Sequence, residues 1–93
     1  MFDELWGDVT EVIDGDTFDV TVTHYKRSNR YPYNTRERIR FASLNAPELP
    51  TRLGETAKDR LDRHIGRRHV HLTVHARDTF SRLVCDVTLT VRT

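Results

Sequence analysis

The sequence contains a single cysteine, Cys85, and no long run of apolar residues. One cysteine excludes an internal disulfide framework and a zinc centre built from cysteines, so a reducing, cytoplasmic compartment is the default expectation. The mean hydropathy is -0.64, and no stretch approaches the ~20 apolar residues of a membrane-spanning helix. The first residues lack the basic and then apolar pattern of a secretion signal. We therefore expect a soluble protein that is not exported.

Glycine and proline are also scarce, with four and three copies, and they stand at isolated points. The 93 residues contain no repeat, low-complexity tract or linker. A chain of this length suits one small domain with one hydrophobic core. We expect residues 1–93 to form a single domain.

Basic residues are absent from the first 20 positions, which carry seven acidic side chains and a charge of −7. The other positions hold all 15 basic groups against seven acidic ones, which gives +8. Thirteen of the 15 are arginine, whose planar guanidinium suits bidentate binding of phosphate. This distribution is consistent with an anion-binding surface beside an acidic patch, and equally with arginines that only solvate a small domain.

Apolar and polar residues alternate over several segments, a pattern typical of half-buried strands. The predicted strands are residues 7–14, 17–23, 36–44, 69–75 and 83–91. One helix is predicted over 55–65, because Ala57, Leu61 and Ile65 recur every four residues, and Gly66 follows where a left-handed cap belongs. Alternation favours antiparallel pairing, and closure removes the sheet edges. The expected fold is mainly β, an OB-like five-stranded barrel with one helix between strands 3 and 4.

Two carboxylates flank a glycine in the turn Asp14-Gly15-Asp16, which separates the first two predicted strands. Such a turn is commonly structural, because aspartate can satisfy the N–H groups of a tight turn. Oxygen-rich turns also bind hard cations such as Ca²⁺ or Mg²⁺. These residues alone leave both interpretations open.

Two other segments place an arginine near acidic or amide side chains. Arg40 is followed by Asn45-Ala46-Pro47-Glu48 at a strand end, and Arg82 follows the turn that contains Phe80. Each segment can be an ordinary polar turn with a surface arginine. Each can also combine a phosphate-binding arginine with an oxygen ligand or a carboxylate.

Tyrosines and basic residues are interleaved around the polar loop 26–35. The candidate nucleic-acid-binding side chains of this loop are Lys26, Arg27, Tyr31 and Tyr33. Such a mixture is typical of a platform on which single-stranded bases stack. Tyrosines that pack on their own barrel would leave the same pattern.

Several other side chains have simpler interpretations. The histidines His69, His71 and His75 alternate along one predicted strand, and a solvated strand face is favoured over a metal site because no other part of a zinc site is present. Cys85 alternates with apolar residues and is expected in the core rather than as a nucleophile. Trp6 precedes the first predicted strand and is expected to cover the barrel end.

Taken together, four ordered segments resemble the staphylococcal nuclease family of Ca²⁺-dependent phosphodiesterases, the thermonuclease-like OB-fold domains. The resemblance covers about residues 7–91. The segments that carry it are Asp14-Gly15-Asp16-Thr17, Arg40 with Asn45-Ala46-Pro47-Glu48, Gly54-Glu55-x-Ala57, and Asp78-x-Phe80-Ser81-Arg82. It implies a metal-dependent endonuclease that hydrolyses DNA, with RNA as a further candidate substrate, at low sequence specificity. The alternative is a catalytically weak or inactive OB module that binds nucleic acid or protein.

The resemblance also implies a metal site. The implied Ca²⁺ ligands are Asp16, Asn45 and the backbone carbonyl of Ala46, with Asp14 in support. Asn45 departs from the family, which has a carboxylate there, so one negative charge is lost. We expect weaker Ca²⁺ binding or a preference for another divalent ion, because ligand charge helps to set Ca²⁺ affinity.

The implied catalytic residues are Arg40 and Arg82, which would hold the scissile phosphate, and Glu48, which would act as general base. Phe80 stands where the best-known members have tyrosine, so a stacking contact survives and a hydroxyl contact does not. The family usually continues with helices after the fifth strand, whereas this sequence stops at Thr93. A homo-oligomer that covers the exposed barrel surface is therefore a further expectation.

Overall fold

The computed structural model describes residues 1–43 and 52–90. Its strands are β1 (Asp3–Asp14), β2 (Thr17–Tyr25), β3 (Arg36–Phe41), β4 (His69–Arg77) and β5 (Leu83–Leu89), and its helix is α1 (Arg52–Ile65). The strands close into a barrel in the order β1-β2-β3-β5-β4. Within the described ranges, the prediction of a mainly β, five-stranded closed barrel with one helix between β3 and β4 is confirmed, and the architecture is compatible with an OB-fold.

Neighbouring strands are antiparallel except at one seam, where β3 and β5 run parallel. The expectation of antiparallel pairing is wrong at this seam, where Ile39 lies opposite Leu83. A parallel pair needs a long connection between its strands, and α1 followed by β4 forms that connection. Because Arg40 follows Ile39 and Arg82 precedes Leu83, the seam brings the two arginines to neighbouring chain segments.

Apolar side chains from all five strands and from one face of α1 fill the barrel interior. The buried core residues are Leu5, Val9, Val12, Phe18, Val20, Val22, Ile39, Leu61, Ile65, Val70, Leu72, Val74, Leu83 and Cys85. Burial, together with the nearby Asp86 carboxylate, raises the pKa of Cys85 to about 12. The thiol therefore stays protonated near neutral pH. This agrees with a core residue and not with a nucleophile, because a cysteine nucleophile reacts as the thiolate.

The N-terminal part of β1 differs from the prediction. The strand begins at Asp3 rather than near residue 7, so Trp6 lies inside it. The Trp6 ring packs against His24 and His71, at centroid distances of 5.0 and 4.8 Å. The prediction that Trp6 covers the barrel end is therefore wrong, because the strand pairs with β4 from Asp3 onward.

The end of α1 also differs from the prediction. The residue with a left-handed backbone is Arg67, at φ 58°, and not Gly66. Glycine is needed at position 66 for close approach, since a Cβ there would clash with the carbonyl oxygen of Asp62. No helix among the described residues combines the length and apolar character required to cross a membrane.

The histidines of β4 lie on the outer face of the barrel, and each contacts a carboxylate. The pairs are His69 with Asp8 at 2.9 Å, His71 with Glu4 at 2.8 Å, and His75 with Asp86 at 2.8 Å. Each histidine has its own acidic partner, so the row is held by separate pairs. These contacts agree with a polar strand face.

Candidate active site

Two aspartates lie close together where β1 turns into β2. Asp14 Oδ1 accepts a hydrogen bond from the backbone N–H of Asp16 at 3.1 Å, and Asp16 Oδ1 accepts one from the Thr17 hydroxyl at 3.0 Å. Burial raises the pKa of Asp14, and the neighbouring Asp16 carboxylate raises this pKa further. The turn thus concentrates negative charge at one end of the barrel.

Both arginines predicted to bind phosphate reach this turn. Arg40 Nη2 lies 3.8 Å from Asp16 Oδ2, and Arg40 Nη1 donates to the carbonyl oxygen of Phe41 at 3.3 Å. Arg82 Nη1 donates to Thr17 Oγ1 at 3.4 Å. The side chains of Asp16, Arg40 and Arg82 are 14%, 25% and 23% exposed. The turn and the two arginines therefore form one partly shielded cluster that a ligand can reach.

The turn between β4 and β5 fixes the orientation of Arg82. Asp78 Oδ1 accepts the backbone N–H groups of Phe80 and Arg82, both at 2.9 Å, and Asp78 Oδ2 accepts Arg82 Nε at 2.7 Å. Burial alone would raise the pKa of Asp78, but these donors together hold it below its usual value. The Arg82 guanidinium lies 5.2 Å from the centre of the Phe80 ring, which is 78% exposed. Arg82 is thus held between a carboxylate and an aromatic face.

A cavity of about 390 Å³ opens beside this cluster. It is lined by Ile13, Asp14, Thr17, Arg38, Phe80 and Arg82. Sequence reasoning gave Thr17 and Arg38 no role of their own, although Thr17 bonds both Asp16 and Arg82. Arg38 forms two hydrogen bonds with Asp19, at 2.8 and 3.1 Å. No local sequence signal separates Arg38 from the other arginines, because its place depends on the barrel.

The oxygen donors of the turn suit a hard cation. Ca²⁺ prefers carboxylate oxygens, and a cation beside Asp14 and Asp16 would offset the repulsion between their charges. In the part of the chain that the structure describes, no three ligating side chains cluster closely enough to hold an ion by themselves. The predicted ligands Asn45 and Ala46 and the predicted base Glu48 lie outside the described residues. The turn therefore fits part of a Ca²⁺ site, and the remaining ligands stay a prediction.

The loop 26–35 carries the other predicted nucleic-acid contacts. Lys26 Nζ lies 2.8 Å from a carboxylate oxygen of Glu4, while Arg27 is exposed. The Tyr31 side chain is exposed, whereas Tyr33 packs against the hydrophobic core. Arg27 and Tyr31 are the two members of this set that are most open to a ligand.

Asp3 on β1 anchors this loop. Its carboxylate accepts the backbone N–H groups of Arg30 and Tyr31 at 2.9 and 3.2 Å and the Tyr33 hydroxyl at 2.7 Å. Burying a carboxylate is costly unless it is hydrogen-bonded, and these donors satisfy Asp3, which is 6% exposed. The Tyr33 hydroxyl, with the two N–H groups, holds the pKa of Asp3 below its usual value. The loop backbone is therefore fixed where Tyr31 projects from it.

Comparison with known proteins identifies two relatives, and no model of a protein family matches the chain. Over 79 residues, 85% of this chain, it is 35% identical to Protein ParB of Escherichia coli and spans 39% of that protein. Over 49 residues, 53% of this chain, it is 39% identical to the probable staphylococcal-like nuclease CAN4 of Oryza sativa subsp. japonica and spans 10% of it. The chain thus spans well under half the length of either relative. The partial similarity to a staphylococcal-like nuclease and the five-stranded barrel fit a fold of the staphylococcal nuclease or OB type.

Proposed function

We propose that the protein is a metal-dependent phosphodiesterase of the staphylococcal nuclease type, which cleaves DNA, with RNA as a further candidate substrate. The observation that carries the proposal is the convergence of Arg40 and Arg82 on the turn that holds Asp16. Forked guanidinium groups beside a carboxylate turn suit a phosphodiester with a bound cation. The similarity to a protein named as a nuclease supports the same activity.

The two arginines would stabilise the charge that develops during hydrolysis. Water attacks phosphorus, a new P–O bond forms, and the bond to one ester oxygen breaks. Negative charge builds up on the non-bridging oxygens during this step, so donors fixed in advance lower the barrier. Asp78 holds Arg82 through Nε, which leaves the Nη groups to face Thr17 and the phosphate.

The acidic turn would hold the metal ion. Asp16, with Asp14 in support, supplies carboxylate oxygens, and Asn45 with the carbonyl of Ala46 would complete the protein ligands. A bound Ca²⁺ supplies positive charge beside the phosphate and a template for the reacting groups. Because Asn45 is a neutral ligand, the site has one negative charge fewer than a site with a third carboxylate.

Glu48 would take the proton of the attacking water. The ester oxygen that leaves takes up a proton in turn, so one water is consumed and one alcohol and one phosphate monoester are formed. A carboxylate within hydrogen-bond reach of the water can perform this transfer. This assignment depends on the position of Glu48 after Pro47 in the motif.

The proposal is tested by cleavage of a labelled single-stranded DNA with Ca²⁺, with Mg²⁺ or Mn²⁺, and with EDTA. Cleavage that requires a divalent ion and stops in EDTA is expected. Salt-dependent binding without cleavage in any of these ions would contradict the enzyme and favour a nucleic-acid-binding OB module.

Self-association is a separate expectation. Leu53 on α1 and Leu89 at the end of β5 are 70% and 42% exposed. Sedimentation velocity over a concentration series measures self-association; a sedimentation coefficient that rises with concentration is expected, and a constant value for the monomer would contradict it.

A further inference from the structure

Three cavities follow one another on the barrel surface, and the first is the candidate active site. The cavity of about 390 Å³ beside Arg82 shares Arg38 and Phe80 with a second cavity of about 370 Å³. The second shares Arg77 with a third cavity of about 560 Å³, which lies against the loop 26–35. We call this third cavity the loop groove, which is bounded by Phe2, Arg30, Tyr31 and His75 among others. The three cavities therefore lie next to one another, in the order candidate active site, second cavity and loop groove.

Exposed aromatic rings stand at both ends of this surface. Phe80 is 78% exposed at the active-site end, and Tyr31 and Phe2 are 66% and 51% exposed at the loop groove. The Phe2 ring packs on the His75 ring, with centroids 4.4 Å apart. The backbone of Tyr31 is fixed by its bond to Asp3. Exposed rings of this kind are typical of surfaces on which unpaired bases stack.

The three cavities are lined by five arginines and four carboxylates, so this surface carries a small excess of positive charge. Arg38 and Arg77 are paired with Asp19 and Glu37, respectively. Arg36 in the second cavity forms no ion pair with a carboxylate of the described residues. Arg30 in the loop groove donates to the carbonyl oxygen of Met1 and interacts electrostatically with the Asp3 carboxylate, which lines the same groove. A groove that combines exposed rings with such arginines suits a nucleic acid strand better than an apolar peptide.

We propose that the three cavities form one binding track for single-stranded nucleic acid. A base stacks on Tyr31 in the loop groove, while a phosphate a few nucleotides away lies at Arg82. The inference rests on the proposed function and adds to it a base-binding subsite remote from the scissile bond. A duplex would not occupy this subsite, because its bases are already stacked and paired.

Two measurements on Tyr31→Ala test this track. The first is the affinity for a fluorescently labelled thymidine decamer in EDTA, where the strand stays intact. We expect a loss of about fivefold to 100-fold, since removal of one stacking ring weakens binding by this order. The second is the rate of hydrolysis with Ca²⁺. We expect KM for the decamer to rise by the same factor, and kcat/KM for a dinucleotide to stay unchanged. A dinucleotide at Arg82 would occupy the candidate active site, which the second cavity separates from the loop groove.

Two further variants control for unrelated effects. Tyr31→Phe keeps the ring and is expected to retain wild-type affinity. Tyr25→Ala removes a tyrosine that is 41% exposed and lies outside the three cavities. It is expected to leave the affinity and KM for the decamer unchanged. Urea unfolding of each variant measures whether the fold is intact.

The outcomes separate the track from the activity. Wild-type affinity in Tyr31→Ala, or an equal loss for the dinucleotide, would overturn the track even if the protein hydrolyses DNA. A protein that hydrolyses neither substrate, yet loses decamer affinity on Tyr31→Ala, would contradict the proposed activity and support the track.

Discussion

Asp78 and Arg82 form a closed unit at the start of β5. One oxygen of the carboxylate bonds Arg82 Nε at 2.7 Å, and the other accepts two backbone N–H groups of the same turn. The shape of the turn and the direction of the guanidinium are therefore set by one side chain. A substitution at Asp78 should therefore alter the position of the Arg82 guanidinium relative to the scissile phosphate.

Asp78→Asn is expected to lower kcat for DNA hydrolysis by about 10-fold to 100-fold, because small displacements of a catalytic group cost factors of this order. The amide can still accept the backbone N–H groups, so the turn should persist. Steady-state kinetics measure the effect, with urea unfolding as the measure of the fold. Asp59→Asn on α1 is the matched control and should leave kcat unchanged. An unaltered kcat in Asp78→Asn would show that Arg82 does not need this support.

Removal of the Tyr33 hydroxyl is expected to change how stability depends on pH. The pKa of Asp3 is lowered chiefly by that hydroxyl, so the stabilisation is present above the unfolded pKa of about 4 and is lost as pH falls through the folded pKa. Tyr33→Phe should therefore lower the free energy of unfolding at pH 7. The difference from wild type should shrink at pH 3.

Urea unfolding of both proteins at pH 7 and pH 3 measures this difference. Tyr25→Phe is the matched control, because Tyr25 lies outside the Asp3 network, and it should behave as wild type at both pH values. A gap between wild type and Tyr33→Phe that is equal at pH 7 and pH 3 would contradict the role of Asp3.

Ser81 has a left-handed backbone, at φ 64°, within the turn that positions Arg82. The left-handed region costs a residue with a Cβ about 1–2 kcal/mol, and glycine avoids this cost. Against this, glycine loses more conformational entropy on folding, which costs about 0.5–1 kcal/mol. Ser81→Gly is expected to stabilise the protein by about 0.5 kcal/mol in urea unfolding. Ser28→Gly, at an exposed turn without a left-handed backbone, should destabilise it slightly. Equal effects of the two substitutions would contradict strain at Ser81.

The central part of each strand was predictable because its signal is local. Phe18, Val20 and Val22 alternate with polar residues, and each is buried inside the barrel. The first residues of β1 carry no such signal, since Asp3 and Trp6 are held by partners distant in sequence. The parallel pairing of β3 with β5 likewise depends on contacts between residues distant in sequence, which the alternation of apolar and polar residues does not show.

The candidate site was predictable to the extent that motifs name its residues. The order of Asp16, Arg40 and Arg82 along the chain suggested the cluster that the fold assembles. The segments that carry the family resemblance contain both Asp78 and Thr17, but they assigned neither residue a role. Both act by linking other groups, and a link depends on distances that sequence does not contain.

Asn45→Asp is expected to raise the affinity for Ca²⁺. The change restores a negative charge among the proposed ligands, and ligand charge is one determinant of Ca²⁺ binding. Isothermal titration with CaCl₂ measures the affinity of wild type and variant, and Ser28→Asp, at an exposed turn, is the control. Equal Ca²⁺ affinity in wild type and Asn45→Asp would mean that residue 45 does not reach the metal.

The most direct test of the central claim is Ca²⁺-dependent hydrolysis of single-stranded DNA by Arg40→Ala and Arg82→Ala. Each variant is expected to lose a factor of about 100 to 1,000 in kcat, as for the removal of one preorganised donor to a developing negative charge. Arg60→Ala, at an exposed position on α1, should keep the wild-type rate. Wild-type kcat in both Arg40→Ala and Arg82→Ala, in an active protein, would contradict the claim that these arginines bind the scissile phosphate.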